Sequence, residues 1–302
     1  MKRFLKKLGA KPLGRLLSPV LQMRRRIDLL SNVDRGTQIL LSLKYRQMRG
    51  RGEAPPSFTD VGFREFSGTD EDGILLYIFS LIGVHNRTLV DIGAALPQGS
   101  NSANLLINHG WTGLLIEGNI KAVLEAREFY RKHPDTSHFP PKIVQAWITV
   151  ENINDIIMEA ALPPEVDLLS IDIDGMDYWI LEAINSISPR VIVLEYQDIL
   201  GPDQAWVVPY RPDFNPASYA ANQGEPNYLG ASLPAFAKLA SKKGYRLVGC
   251  NRYGFNAFFV RSDIGAELLP EVSIADCLVH PKAQAGMRDR FPKIADMDWV
   301  EV

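Results

Sequence analysis

Three carboxylates fall where apolar runs give way to loops, and their spacing is the first chemical clue in the chain. Asp172 and Asp174, in Ser-Ile-Asp-Ile-Asp-Gly at 170–175, are two residues apart, which puts them on one side of an extended strand. Glu195 closes the next apolar run and is expected beside them. Three hard oxygens converging on one rim can hold Mg2+ or another hard divalent cation. Without a metal, the same carboxylates suit general-base work on a substrate hydroxyl. A plainer reading has Asp174-Gly175 capping the helix that begins near Tyr178. Upstream, Asp91-Ile-Gly93 ends another apolar run: glycine lets the backbone approach a ligand closely, and Asp91 can accept bonds from cations or hydroxyls. Glu117 follows 26 residues after Asp91, again at a strand end. An acidic side chain there can grip the two hydroxyls of a ribose. Taken singly, Asp91-x-Gly93 also suits an ordinary strand-to-helix turn, and Glu117 a solvated strand end.

These residues need a frame that brings strand ends together. Apolar runs at 88–93, 113–118, 142–149, 166–174 and 191–196 alternate with helical patterns at 74–82, 102–109, 120–132, 151–161 and 178–187. Thr69 or Asp70 is placed to cap the first of these helices, with acidic residues in its first turn. A further helix at 233–243 precedes a closing hairpin at 245–250 and 255–261. Buried strands separated by helices argue an α/β fold with a mostly parallel sheet covered on both faces and right-handed crossovers. Ligands of such sheets lie beyond the carboxyl ends of the strands, where the acidic residues above collect. A long loop rich in Pro, Asn and Gly, 197–229, carries Trp206, Tyr210, Arg211, Tyr219 and Tyr228. Loops of that length in compact domains are usually functional or disordered, and this one is the natural lid for a substrate.

Composition bounds the rest. The 302 residues are 46% hydrophobic and 23% charged, ordinary for a globular protein with a sizeable core. No run reaches the ~18 apolar residues of a membrane span. Met1 to Ala10 is basic but lacks the apolar stretch of a secretory signal. Two cysteines, Cys250 and Cys277, make neither a disulfide framework nor a zinc spacing; a reducing, cytoplasmic compartment is expected. Charge is uneven: residues 1–51 hold 14 Lys and Arg against Asp28 and Asp34, in a chain of net charge −2. Two helical pieces are expected there, broken near 31–36, with a linker at 49–56. Their apolar residues (Phe4, Leu5, Leu8, Leu13, Leu16, Leu17, Leu21) recur at helical spacing. Such an extension can lie on a membrane surface, meet an acidic partner, or pack on its own domain or a second subunit in a homo-oligomer. Nucleic acid is not expected, because the body is acidic and has no interleaved basic-aromatic patch. The domain reading is therefore a basic helical N-terminal extension and linker at 1–56, then one catalytic domain with a tail at 57–302.

The motifs also carry a resemblance. Val-Asp-Ile-Gly-Ala at 90–94, Gly-Ser-Asn-Ser at 99–102, Gly110-Trp111, Leu-Leu-Ile-Glu-Gly at 114–118, Asp-Leu-Leu-Ser-Ile-Asp-Ile-Asp-Gly at 167–175 and Val-Leu-Glu-Tyr at 193–196, with Asp-Glu-Asp-Gly at 70–73 upstream, together resemble the FkbM-like class I methyltransferases over residues 63–263. The resemblance implies a Rossmann-like seven-stranded sheet, S-adenosylmethionine as methyl donor, and often a sugar hydroxyl as small-molecule or glycan acceptor. By position, Asp91 and Gly93 would flank the methionine part and Glu117 would hold the ribose. Ala94, Ser100, Asn101 and Gly118 would line the same site, and Asp172 or Asp174 would face the acceptor. One stretch departs from the family: a second glycine and an acidic-glycine pair are replaced by Ala-Ala-Leu-Pro-Gln-Gly at 94–99. Pro97 removes a backbone N–H and Ala95 narrows the turn. Trp147, near where an adenine would lie, suits stacking on a base or ordinary core packing.

Three functions follow. The first is an S-adenosylmethionine-dependent O-methyltransferase. The second is a metal-dependent glycosyltransferase, with Asp172-x-Asp174 holding a nucleotide-sugar diphosphate through a cation. The third is a non-catalytic methyltransferase-fold scaffold, which the altered glycine loop would favour.

Overall fold

The computed structural model describes residues 33–215 and 225–302. The chain divides into two compact units, 1–34 and 35–302; of the first, only residues 33 and 34 lie among those described, so the readings placed on Phe4 to Leu21 fall outside them, as does Tyr219.

In the second unit the chain runs α1 (Arg35–Gly50), α2 (Phe58–Val61), α3 (Glu71–Ile82), β1 (Thr88–Ile92), α4 (Ala103–Asn108), β2 (Thr112–Glu117), α5 (Ile120–Lys132), β3 (Lys142–Gln145), α6 (Ile153–Glu159), β4 (Glu165–Ile171), α7 (Asp177–Ala183), β5 (Ser188–Glu195), β6 (Trp206–Val207), α8 (Leu233–Lys242), β7 (Tyr245–Cys250), β8 (Asn256–Arg261), α9 (Pro281–Asp289) and β9 (Val300–Glu301). Seven strands form one sheet in the order β3-β2-β1-β4-β5-β8-β7. The first five are parallel, and β8 enters antiparallel between β5 and β7. The fold is thus α/β and Rossmann-like, with a seven-stranded, mostly parallel sheet and helices on both faces.

Strand alternation explains the two-sided core. Val90, Ile92, Leu169, Ile171, Ile192 and Leu194 join one apolar cluster with α7 and α8. Their neighbours Leu89, Leu115, Leu168, Val191 and Val193 join another beneath α3 and α4. α3 is buried almost along its whole length, which fits its unbroken apolar run. α1 contributes Tyr45 to the same cluster, with Leu41 and Met48 packed on it. The compact unit therefore starts at Arg35, upstream of the 56/57 boundary drawn from the linker composition.

Three local expectations need correction. β3 stops at Gln145 rather than running to Thr149, because Trp147 and Ile148 turn to wall the cleft described below. Asp70 occupies the N-cap of α3 without a side-chain cap bond; its carboxylate instead accepts from Arg252 N at 3.1 and 3.3 Å, and Thr69 Oγ1 donates to Glu71 Oε1 at 2.7 Å. The C-terminal tail is part of the structure: β9 pairs with β6, and Lys282 Nζ donates to buried Asp198 at 2.7 Å. Among the described residues, no helix is long and apolar enough to cross a membrane.

Candidate functional site

The register of the sheet lines up the acidic residues found in the sequence. Ile92 pairs with Ile116 on one side and Ile171 on the other, Ile171 with Leu194, and Glu195 with Asn256. One step beyond the first three of these pairs, Glu117, Gly93, Asp172 and Glu195 stand in a single row across the carboxyl ends of β2, β1, β4 and β5. The row is fastened by backbone: Gly93 N donates to Ile116 O and Asp172 N to Ile92 O, both at 2.9 Å.

A cleft of about 490 Å3 opens over Glu117, Gly93 and Asp172 of this row, within the usual range for small-ligand sites. Gly93, Glu117 and Gly118 line one part of it, Ala146, Trp147 and Ile148 another, and Asp172, Asp174, Met176, Arg211 and Phe214 the rest. Gly93 has φ +97°, and a Cβ there would sit 1.7 Å from the Asp172 carbonyl oxygen. Only glycine fits that crossing of β1 over β4. Glu117 Oε1 accepts from Asn119 N at 2.6 Å, which aligns its carboxylate at the mouth of the cleft. Trp147, 46% exposed, is held by a bond from Nε1 to Pro212 O at 3.0 Å. Of the two readings open for it, the cleft wall is the one observed.

The acidic end is built on a turn. β4 ends at Ile171, so Asp172 and Asp174 do not share a strand face; Asp174 is in the left-handed region at φ +56°. The turn still brings Asp172, Asp174 and Glu195 together, with one oxygen of each within 4.8 Å of the others. Buried Asp177 makes this turn, accepting from Ile173 N and Gly175 N, both at 2.9 Å. Asp174 does not cap the following helix, whose N-cap is Met176 and which has no side-chain cap bond; Asp177 fastens the turn before it instead. Gly175, at φ +156°, lies against the Phe214 ring, where a Cβ would come within 2.1 Å.

The crowding of acids has an electrostatic consequence. Burial pushes the Asp172 carboxyl up to about 6, with the charges of Asp174, Asp91 and Glu71 adding to the rise and a hydrogen bond with Glu195 opposing it. Glu195 is raised well above the usual carboxylate range, first by burial and then by the charge of Asp172. One proton shared between them is the state such a pair favours.

Five sequence-nominated residues lie outside the cleft lining; Glu195 is one, and meets the cleft only through its hydrogen bond with Asp172. Asp91 is 1% exposed, does not line the cleft, and accepts from Ser102 Oγ at 2.6 Å and Ser100 Oγ at 3.0 Å. Asn101 is buried and donates to Ser170 Oγ at 3.3 Å. Ala94 and Ser100 also lie outside the cleft lining. Position along the strand explains this: Asp91 lies inside β1, among the residues covered by α3 and α4, whereas Gly93 lies beyond its carboxyl end, where the cleft opens. The unusual Ala94–Gly99 stretch is tied down on that side too, with Ala95 in the core and Gly99 N bonded to Phe66 O at 2.7 Å. Neither Ala95 nor Pro97 narrows the cleft. Sequence reasoning missed Met176 and Phe214, whose only signal was nearness to Asp174 and membership of the long loop.

Similarity to solved structures is distant. No protein-family model matches the chain, and no curated protein matches it. A putative sarcosine dimethylglycine methyltransferase from Galdieria sulphuraria is 12% identical with TM-score 0.37, over 58% of this chain and 60% of that one. An O-methyltransferase from Bacillus cereus, in complex with SAH, is 13% identical with TM-score 0.40, over 72% and 88%. A SAM-dependent methyltransferase from Aquifex aeolicus is 13% identical with TM-score 0.37, over 72% and 98%. The chain spans less than two thirds of the first of these. The functional reading therefore rests on the geometry of the cleft.

Proposed function

We propose that the protein is an S-adenosylmethionine-dependent O-methyltransferase acting on a hydroxyl of a sugar or glycoconjugate-like small acceptor. The observation that carries this reading is the row of Glu117, Gly93 and Asp172 along one cleft, with Glu195 hydrogen-bonded behind Asp172 on the next strand. The residues fit an adenosyl ligand. Glu117 offers a carboxylate to vicinal ribose hydroxyls, Trp147 and Ile148 offer apolar walls to a base, and Gly93 lets the ends of β1 and β4 close up beneath the cleft. The bound cofactor supplies an electrophilic sulfonium methyl. The chain's own part is to position the acceptor and take its proton. A carboxylate of the Asp172–Glu195 pair, raised toward neutrality, suits that transfer: it would take the hydroxyl proton as the acceptor oxygen displaces the thioether from the transferred methyl. Holding both reactants in line accounts for most of the expected acceleration.

The trio of Asp172, Asp174 and Glu195 also suits Mg2+ or a similar cation. Oxygens up to 4.8 Å apart lie near the span of two ligands on one hard ion, about 4.2 Å for Mg2+ and about 5 Å for Ca2+. A cation there would orient the acceptor hydroxyl. The order of the sequence motifs supports placing the protein near the FkbM-like methyltransferases. The nucleotide-sugar alternative leaves Gly93 and Glu117 without a role.

The test is a calorimetric titration of the folded protein with S-adenosylhomocysteine, beside Glu117→Ala. Micromolar binding that falls at least tenfold in the variant is expected. No binding by the wild-type protein overturns the reading in favour of a scaffold. Repeating acceptor screens with Mg2+ and with a chelator separates the metal-dependent and metal-free versions.

A further inference from the structure

A second cavity, of about 370 Å3, lies between α1, the end of α3 and the loop before β1. Its inner wall is apolar and buried, formed by Leu76, Phe79, Leu105 and Trp111. Its outer wall carries Arg46, Arg49 and Arg87, and no acidic residue lines it. The arginines are held but not neutralised. Arg46 donates to Ser42 Oγ at 2.9 Å and Arg49 to Leu81 O at 2.6 Å, and none of the three forms an ion pair among the described residues. Arg87 is in the left-handed region at φ +58°, a costly conformation for arginine. It is kept there by Asp167, whose carboxylate accepts from Arg87 N at 2.7 Å and Asn86 N at 2.8 Å. His109, also on the wall, is pushed down to about 4, first by burial and then by the charges of Arg35 and Arg87, so the cavity's positive charge belongs to the arginines.

The helix that supplies two of these arginines has an apolar side left open among the described residues. Ser42, Arg46 and Arg49 recur at helical spacing on the cavity face of α1. The adjoining face carries Ile39, Leu40 and Leu43, which are 46%, 68% and 52% exposed. Three open apolar side chains beside a cluster of unpaired arginines, on a protein whose body beyond residue 51 is acidic, form the pattern of an interfacial helix.

The geometry points to a binding site for the phosphate of an anionic phospholipid, which would dock this face on a membrane surface. The arginines would meet the headgroup, Ile39, Leu40 and Leu43 would enter the interface, and the apolar floor would receive the start of an acyl chain. This reading is independent of methyl transfer.

The test measures co-sedimentation of the full chain with vesicles of phosphatidylcholine alone and of phosphatidylcholine with phosphatidylglycerol. Binding only to the anionic vesicles is expected. Arg46→Gln with Arg87→Gln should weaken it by roughly 30-fold, the effect of two charges removed from an anionic surface, while S-adenosylhomocysteine binding stays unchanged. Should that double variant fail to fold, Leu40→Ser with Leu43→Ser changes only exposed positions and should weaken vesicle binding at least fivefold. Wild-type affinity in either folded variant overturns the site and assigns any binding to residues 1–32. Absence of binding to both vesicles also overturns it. Binding of glycerol phosphate without vesicle binding replaces the membrane with a soluble phosphate ester.

Discussion

β4 has an aspartate near its start, buried, and another just past its end, half-buried, and the two are treated in opposite ways. Asp167, near the start, is fully buried and accepts from His85 N, Asn86 N, Arg87 N and Arg190 Nη1 at 2.7 to 3.1 Å. Arg190 in turn donates to Gly83 O and Ile82 O. Every lone pair there has a partner, and the result is an anchor for the loop entering β1. Asp172, five residues on, has acids for neighbours and a raised pKa. The first carboxylate is satisfied and holds structure together. The second is left in a state that a proton, a cation or a substrate would relieve, as expected of a group kept for chemistry.

Substitutions can break this contrast. Asp167→Ala should cost about 3–5 kcal/mol, because it strands the buried Arg190 charge and three backbone donors; chemical denaturation would show it, with S-adenosylhomocysteine affinity retained at low temperature. Asp172→Asn should do the reverse. It relieves repulsion with Glu195, so the denaturation midpoint holds or rises, while methyl transfer to a hydroxyl acceptor falls about 100-fold or more. A variant that loses stability instead would make Asp172 a structural residue.

The pH dependence sharpens the same point. A carboxylate whose folded pKa is raised binds protons more tightly in the folded state than in the unfolded one. Stability then declines as pH rises between the ordinary carboxylate value near 4 and the folded value near 6, and is flat above. Asp172→Asn should remove its share of this slope, measured as denaturation midpoint against pH. Asp72 and Asp91, pushed to about 6 by burial, and Asp177, pushed to about 7, keep a slope of the same sign, which Asp91→Asn would lessen further. The smallest effect is expected at Glu117, where alanine should change stability by less than about 0.5 kcal/mol while still weakening the adenosyl ligand.

The sequence made the strand ends legible because a parallel sheet buried on both faces must be apolar along each strand, so an acidic residue closing such a run stands out. Gly93, Glu117, Asp172 and Glu195 were found this way. Asp91 met the same criterion, yet it faces the side covered by α3 and α4, where Ser100 and Ser102 satisfy it. Whether an acid lies inside a strand or beyond its carboxyl end depends on where the strand stops, and spacing alone does not reveal that. The turn at Asp172–Gly175 was read as strand because its alternation continues; the bend comes from Asp177 gripping two backbone N–H groups, a local bond without periodicity. The β6–β9 pairing joins residues almost a hundred apart and leaves no pattern in either two-residue strand.

The row across the strand ends also acts as a ruler. Parallel strands sit about 4.8 Å apart, so the three steps from Glu117 to Glu195 span about 14 Å. That length is set by backbone hydrogen bonds, and no repacking of side chains can stretch or shorten it. On the proposed methyl-transfer reading, whatever Glu117 grips must reach the acidic turn along that ruler, and a change of acceptor would leave the ruler intact and fall on Arg211 and Phe214, which line the cleft beside the turn.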